Sequence, residues 1–198
     1  MADGSSSGKQ IVLCLKDSDS YLVEKIKNYF SPEITLQKRR NNVGFAISSQ
    51  IICENLSQYG IKVGKTYSEL SIPSNLSIDL IPHFIRGYFD GDGSIIGWVA
   101  SEKGKADRFR FKFEICAKSS TILEDIINFF KLHDIKVNLN YLTRDDMYRL
   151  STSSKREVTK IFNLLYSDSN FYMIRKFNKF NYYVNTEVSQ LLIDHRNA

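Results

Sequence analysis

The chain has 198 residues, 42% hydrophobic and 13% aromatic, so it can form a sizeable core and is not globally disordered. Its formal net charge of +5 permits a polyanionic partner without proving one. No apolar run reaches the about 18 residues of a membrane span and no signal peptide opens the chain, which excludes a transmembrane protein. We therefore expect an intracellular protein, cytoplasmic or organellar. Its three cysteines form no CxxC pair and lie in apolar runs, which favours buried reduced thiols over a disulfide or zinc site.

The first half of the chain alternates strands and helices. Apolar and β-branched runs predict the strands, and apolar residues at helical spacing predict the helices, the first of them capped by Asp19 or Ser20. The predicted order is strand Gln10–Lys16, helix Asp17–Phe30, a hairpin around Asn41-Asn42, helix Gln50–Gly60 and a basic segment that contains Lys65.

A glycine-rich motif, FIRGYFDGDGSI (Phe84–Ile95), opens the second half. It begins as an apolar, helix-compatible run, yet each glycine inside a helix costs about 1 kcal/mol relative to alanine. Gly87 and Gly91 are four residues apart and share a helix face, so a second helix could cross there at short distance. Asp90 and Asp92 fall at the helix end that disfavours negative charge. A segment that violates propensity and electrostatics together often marks a functional site.

The second half repeats the order of the first. It comprises strand Arg108–Lys118, helix Ser119–Ile135, a hairpin around 144–146, helix Ser153–Tyr166 and the basic segment Met173–Phe180. Slowly increasing offsets between matched residues, such as Lys16 with Lys118 and Lys65 with Lys176, indicate an internal duplication. We divide the chain into a first repeat (1–75), a second repeat (76–184) and a C-terminal tail (185–198) with a short amphipathic stretch that can form a last helix or an interaction tail.

Only the end of the motif is found in the first repeat. Aligning Asp3-Gly4 with Asp92-Gly93 places Ala2 opposite Gly91, while the preceding helix has no counterpart in the sequence. Three explanations stay open: the chain is a fragment or has a misplaced start, it pairs through its intact motif with another chain, or it has lost cleavage activity.

The paired carboxylates suggest metal chemistry. Acids that meet at the mouth of a helix crossing repel each other unless a cation bridges them, and hard oxygen ligands suit Mg²⁺. Such ions can clamp the attacking and leaving oxygens of a phosphodiester. The alternative is an ordinary acidic turn, because Asp-Gly pairs are common in hairpins. A calcium-binding EF-hand loop that starts at Asp90 is excluded, because its twelfth position would be Ser101.

The motif Ile85–Gly93 and the elements that follow it resemble the LAGLIDADG homing endonucleases, and the likeness extends to about residue 184. The resemblance implies an α+β fold of two pseudo-symmetric αββαββα-type repeats, whose saddle-shaped antiparallel sheets straddle double-stranded DNA around central LAGLIDADG helices. It resembles the two-repeat type associated with introns and inteins. This resemblance implies a monomer with internal pseudo-symmetry, or, if the first motif helix is truly absent, a chain that pairs with another through its exposed motif helix.

The resemblance also implies roles for particular residues. The last acid of each motif binds Mg²⁺ or Mn²⁺ and is catalytic, the preceding carbonyl joins the coordination, and Asp90 shapes the turn. The implied metal ligands are Asp92, Asp3, Gly91 and Ala2. Basic residues near the scissile phosphates are the other catalytic candidates, and they are Lys176, Lys65, Lys118 and Lys16. The alternative for each lysine is a solvated surface charge.

The expected DNA face consists of outward strand positions. In RFRFKFE, Arg108, Arg110 and Lys112 alternate with phenylalanines and share one face with Glu114. A polar strand face in the major groove can bring Arg to guanine and Asn or Gln to adenine. The hairpins add the candidates Gln37, Lys38, Arg39, Arg40, Asn138, Asn140, Tyr141 and Arg144. The alternative for each is an ordinary half-exposed sheet position.

We interpret the chain as a site-specific DNA endonuclease that hydrolyses phosphodiesters with a divalent metal, truncated or degenerate if the first motif is absent. The alternative is a non-cleaving nucleic-acid-binding relative, such as an intron maturase or a transcription regulator. An intein remnant is disfavoured, because the chain has no terminal Cys or Ser splicing block and no closing His-Asn dipeptide.

Overall fold

Two four-stranded antiparallel sheets and seven helices make up the computed structural model, which describes residues 4–61 and 70–196. The strands are β1 (Gly4–Ser6), β2 (Gln10–Lys16), β3 (Gln37–Arg39), β4 (Asn42–Ser48), β5 (Gly93–Ala100), β6 (Arg108–Ala117), β7 (Asn138–Leu142) and β8 (Met147–Thr152). The helices are α1 (Ser20–Phe30), α2 (Gln50–Ser57), α3 (Ile81–Asp92), α4 (Ser120–Leu132), α5 (Lys155–Tyr166), α6 (Ile174–Asn185) and α7 (Val188–Arg196).

The two sheets have the same topology. Their strand orders are β1-β2-β4-β3 and β5-β6-β8-β7, and in each half one helix joins the second strand to the third while another follows the fourth. This arrangement confirms the predicted α+β fold of two similar repeats. None of the helices among the described residues is long and apolar enough to cross a membrane.

In the first sheet, β2 and the β3–β4 hairpin match the predicted strands, whereas β1 lies in the polar start of the chain, for which no strand was predicted. Three further details of this half differ from the prediction. A 3-10 turn over Asp17–Asp19 precedes α1, and Asp19 is at the predicted N-cap position, but its side chain makes no capping hydrogen bond. The β3–β4 turn lies at Arg40-Asn41, one residue earlier than predicted, because Arg39 pairs with Asn42. Cys14 is exposed rather than buried, because it points outward from β2.

The larger core lies on the inner face of the second sheet. The alternation of β6 buries Phe109, Phe111 and Phe113, and the ring of Phe113 stacks on Phe89 of α3 with centroids 4.8 Å apart. Phe180 of α6 is fully buried against both rings. The basic segment predicted before residue 180 is therefore the start of an amphipathic helix, which packs its aromatic side on this sheet.

The C-terminal tail contains the helix α7. Its Leu191 is buried in the same core, and the ring of His195 lies 5.4 Å from that of Phe109. The tail thus packs on the far end of the second sheet.

The first half has a smaller core, and each half packs some of its side chains into the core of the other. Met173, from the connection between α5 and α6, is buried among residues of the first half such as Val23 and Phe45. In return, Leu70 and Ile72 pack against the core of the second half. The two sheets are therefore joined by side chains that each half contributes to the other.

Glycines of the motif have different surroundings. A Cβ added at Gly93 would lie 2.2 Å from Cδ2 of Phe89 and 2.7 Å from its carbonyl oxygen, so the close approach of α3 to β5 requires glycine. A Cβ added at Gly87 would meet no described atom within 4 Å. The close helix crossing expected at Gly87 is therefore not made by residues 4–61 or 70–196 and stays a prediction.

Candidate active site at the end of the motif helix

The motif helix α3 ends at the point where β5 begins. Asp92 is its last residue, and the N–H of Gly93 donates to the carbonyl of Phe89. The last carbonyls of a helix lack intrahelical partners and form the negative end of its dipole. This end therefore attracts a cation.

Lys176, in the first turn of α6, supplies that cation. Its Nζ lies 2.8 Å from the carbonyl oxygen of Phe89, 2.5 Å from that of Asp90 and 2.7 Å from that of Gly93. The Gly91 carbonyl is more distant, at 3.5 Å. The resemblance implied that Lys176 lies near the scissile phosphates, and the structure places its ammonium on the end of the motif helix.

Asp92 is exposed beside this lysine-bound helix end. Burial raises the pKa of Tyr88, and the negative charge of Asp92 raises it further. An exposed carboxylate next to the backbone carbonyl of Gly91 offers two hard oxygen donors of the kind that Mg²⁺ prefers.

Asp90 has a different environment from Asp92. Its side chain is buried and accepts hydrogen bonds from the Met173 N–H at 2.9 Å and from the Tyr166 hydroxyl at 3.3 Å. Burial raises its pKa to about 6, although the bond from Met173 lowers it. Asp90 thus ties the motif helix to the connection between α5 and α6.

The buried Arg86 connects the same helix to the end of α5 and the segment that follows it. Its Nε donates to the carbonyl of Phe171 and its Nη1 to that of Leu165, each at 2.9 Å, and Nη1 also donates to Nδ1 of His83 at 2.7 Å. Burial lowers the pKa of His83, and the positive charge of Arg86 lowers it further. Sequence reasoning missed Arg86, because an arginine within an apolar run carries no local signal of its distant carbonyl partners.

The other predicted lysines have different positions. Lys118 follows β6 and donates to the carbonyls of Asp145 and Asp146 in the β7–β8 turn, at 3.3 and 3.0 Å. Lys16 is exposed at the end of β2, opposite Asn42. The predicted site residues Ala2, Asp3 and Lys65 lie outside the described residues.

The outward face of the second sheet is polar. Arg108 and Arg110 are exposed on β6, and farther along the strand Lys112 Nζ lies 2.6 Å from Oε2 of Glu114. Glu114 also accepts a hydrogen bond from the hydroxyl of Ser94 at 3.1 Å. The face continues onto β7 through Asn138 and Asn140, which lie opposite Ser151 and Arg149 of β8, and Arg144 is exposed in the adjoining turn. Tyr141 is exposed, but it projects on the other side of β7, opposite Tyr148.

In the first sheet the predicted DNA-contacting residues divide between the two faces. Gln37 and Arg39 lie opposite Gly44 and Asn42 and share the outward face with Lys16. Lys38 is paired with the buried Val43 and therefore projects on the other side of β3, although it is exposed at the sheet edge. Arg40 is in the turn with φ 52°.

Solved LAGLIDADG homing endonucleases share this architecture. I-SmaMI bound to cleaved DNA aligns with a TM-score of 0.64 at 12% identity, over 95% of this chain and 80% of that chain. I-AabMI bound to uncleaved DNA aligns with a TM-score of 0.62 at 12% identity, over 94% and 82%. I-GzeII in complex with its DNA target aligns with a TM-score of 0.61 at 12% identity, over 87% and 77%.

A further structure of I-SmaMI, bound to uncleaved DNA in the presence of calcium ions, aligns with a TM-score of 0.58 at 13% identity, over 79% and 74%. Neither a protein-family model nor a curated protein matches the sequence. The chain has the two-repeat fold of the LAGLIDADG homing endonucleases, and the resemblance that the motif carries is confirmed at the level of the fold.

Proposed function

We propose that this chain is a homing endonuclease, which cleaves double-stranded DNA at a specific site by divalent-metal-assisted hydrolysis. The observation that carries the proposal is the contact of the Lys176 ammonium with the carbonyl end of the motif helix, beside the exposed Asp92. An acid and a cation at one helix end suit phosphodiester chemistry, which needs a ligand for a metal and a positive charge for the phosphate oxygens. The shared fold with DNA-bound homing endonucleases supports the same conclusion.

The metal in this proposal is Mg²⁺ or Mn²⁺. The part of the chain that the structure describes has no group of three His, Cys, Asp or Glu side chains that could hold a metal ion. Mg²⁺ does not require such a group, because it commonly binds one or two carboxylates together with substrate phosphates and water. Asp92 and the Gly91 carbonyl would hold it in the second repeat, and Asp3 and Ala2 in the first. When bound, the metal supplies Lewis acidity and a water of lowered pKa.

The catalytic side chains other than the metal ligands are lysines. Lys176 would bring a compact ammonium to the charge that develops on the scissile phosphate, where a fixed cation stabilises the transition state more than the ground state. The internal duplication assigns the corresponding role to Lys65. Lys118 and Lys16, at the ends of the central strands, would stabilise phosphates farther from the metal.

DNA binding is proposed for the outward faces of the two sheets. One sheet belongs to the first repeat, residues 1–75, and the other to the second repeat, residues 76–184. The exposed cations and amides on these faces can neutralise phosphates and read base edges. The proposed contacts are Arg108, Arg110, Lys112, Asn138, Asn140 and Arg144 in the second repeat and Gln37, Arg39 and Arg40 in the first. Lys38 projects on the other side of β3 and is not among them. The partner is double-stranded DNA, and the internal pseudo-symmetry favours a monomer.

The test selects a substrate before it measures cleavage. A long randomised duplex pool is enriched by repeated binding to the protein with Ca²⁺, and the selected duplexes are then incubated with protein and Mg²⁺ or Mn²⁺. We expect cleavage of both strands at a fixed position, which EDTA prevents. Duplexes that are bound but never nicked would overturn the endonuclease and identify a binding-only protein instead.

A further inference from the structure

The segment Tyr172–Lys176 connects the motif helix with the first half of the chain. The side chain of Met173 is buried in the core of the first half, while its N–H donates to Asp90 of α3 at 2.9 Å. Lys176 follows three residues later on α6 and contacts the end of α3. The position of the lysine is therefore set from two sides.

Asp19 of the first half binds the residue that precedes this lysine. Its side chain is only 2% exposed, and its two oxygens accept hydrogen bonds from Nε of Arg175 at 3.2 and 3.0 Å. Nη2 of Arg175 also lies 3.2 Å from the sulfur of Met173. A buried carboxylate is costly unless it is paired and hydrogen-bonded, so the pair favours one position of the first turn of α6 relative to the first half.

Tyr21 holds the same segment through the backbone. Its hydroxyl donates to the carbonyl of Tyr172 at 3.0 Å and accepts a hydrogen bond from the N–H of Ile174. The first half thus contacts four successive residues of this segment. Its core surrounds the side chain of Met173, Tyr21 bonds the backbone of the residues before and after Met173, and Asp19 pairs with Arg175.

We infer that Asp19 is a positioning residue, through which the first half of the chain sets the place of Lys176 in the second half. The inference rests on the proposed endonuclease function, in which Lys176 acts at the scissile phosphate. Arg175 and Lys176 are successive residues in the first turn of α6, so a movement of the helix backbone at Arg175 also moves Lys176. A misplacement of about 1 Å at a reacting centre can cost about 100-fold in rate.

The experiment is a double-mutant cycle with a duplex selected by binding. Single-turnover cleavage is measured for wild type, Asp19→Ala, Lys176→Ala and the double variant. We expect Asp19→Ala to slow cleavage by about 10- to 100-fold with DNA affinity retained, and to have no further effect in the Lys176→Ala background. Equal effects of Asp19→Ala in both backgrounds would overturn the inference, because Asp19 would then act independently of Lys176.

Two further variants separate positioning from loss of folding. Asp134→Ala removes an exposed ion pair with Lys160 in the second half, and it should cleave like wild type. Asp19→Asn keeps an acceptor oxygen for Arg175 and should cleave faster than Asp19→Ala. Faster cleavage by Asp19→Ala than by Asp19→Asn would count against the inference.

A structural readout is independent of cleavage. In protein labelled at the methionine methyl groups, Asp19→Ala should shift the NMR signal of Met173 and leave that of Met147, on β8, in place. An unmoved Met173 signal would overturn the inference. If wild type cuts none of the selected duplexes, the proposed function fails and this inference with it; if wild type and Asp19→Ala cut equally fast, only this inference fails.

Discussion

The carboxylate of Asp90 accepts a hydrogen bond from the N–H of Met173, and the ammonium of Lys176 lies on the carbonyl of the same aspartate. The motif helix is therefore bonded to the start of α6 in two ways, through the side chain of Asp90 and through its backbone carbonyl. Because the two segments are distant in sequence, the geometry of the candidate site depends on how the whole second half packs.

Replacement of Asp92 by asparagine should abolish cleavage and preserve DNA binding. The amide has the same shape but lacks the charge that a divalent metal requires. The loss should exceed the about 100-fold that removal of an outer-shell partner of a metal costs. Cleavage and gel-shift assays on one selected duplex measure both properties. The matched control is Asp79→Asn, an exposed acid just before the opposite end of the helix, and equal loss in both variants would refute the role of Asp92.

Replacement of Lys176 by alanine should reduce cleavage by about 100- to 1,000-fold, the usual effect of removing one group that stabilises transition-state charge. It should also lower the free energy of unfolding by about 1 kcal/mol, because the carbonyl end of α3 is then without its cation. Lys179→Ala, on the same helix and near the ring of Tyr183, is the control and should retain activity. Single-turnover rates and urea denaturation test the two parts separately.

Arg108 and Arg110 should contribute to the salt dependence of DNA binding. Removing one arginine–phosphate interaction reduces the slope of log K against log salt by about 0.9, so the double alanine variant should lower it by about 2. Arg156→Ala removes an exposed arginine from α5, which packs on the opposite, apolar face of the sheet. An unchanged slope in the double variant, or an equal change in the Arg156 variant, would contradict the assignment of the DNA face.

Phe113 should be among the residues on which stability depends most. Its side chain is fully buried and contacts Phe89 and Phe180, which join the sheet to two helices. Phe113→Ala should lower the free energy of unfolding by about 3–5 kcal/mol because it leaves a cavity. Leu132→Ala, at a position that is 73% exposed, should change it by less than about 0.5 kcal/mol. Chemical denaturation measures both.

Alanine substitutions at two motif glycines should change stability in opposite directions. Gly87 is exposed inside a helix with no described atom near an added Cβ, so Gly87→Ala should raise the free energy of unfolding by about 1 kcal/mol. Gly93→Ala should lower it by about 1–3 kcal/mol, because the methyl group would overlap Phe89. A Gly93→Ala variant as stable as wild type would contradict the packing of α3 on β5.

The arrangement of the helices and strands was predictable because short-range patterns determine it. The alternation of Arg108 to Ile115 identifies both faces of β6, and the apolar spacing before Asp92 identifies the motif helix. Lys176 was predicted as a site residue through the resemblance to the LAGLIDADG family, although only the packing of α6 shows which carbonyls it contacts. The partner of Asp19 was not predictable, because a local cap and an ion pair with Arg175, 156 residues away, are equally compatible with its neighbours in sequence.

The sequence by itself determined the repeated order of elements, the polar and apolar faces of the sheets and the residues of the motif, since each follows from backbone geometry over a few residues. Only the tertiary structure decided that Asp90 is buried while Asp92 is exposed, and that Met173 lies in the core of the first half. The physical reason is that burial and pairing depend on which distant surfaces meet, and the alternatives differ in packing rather than in local propensity.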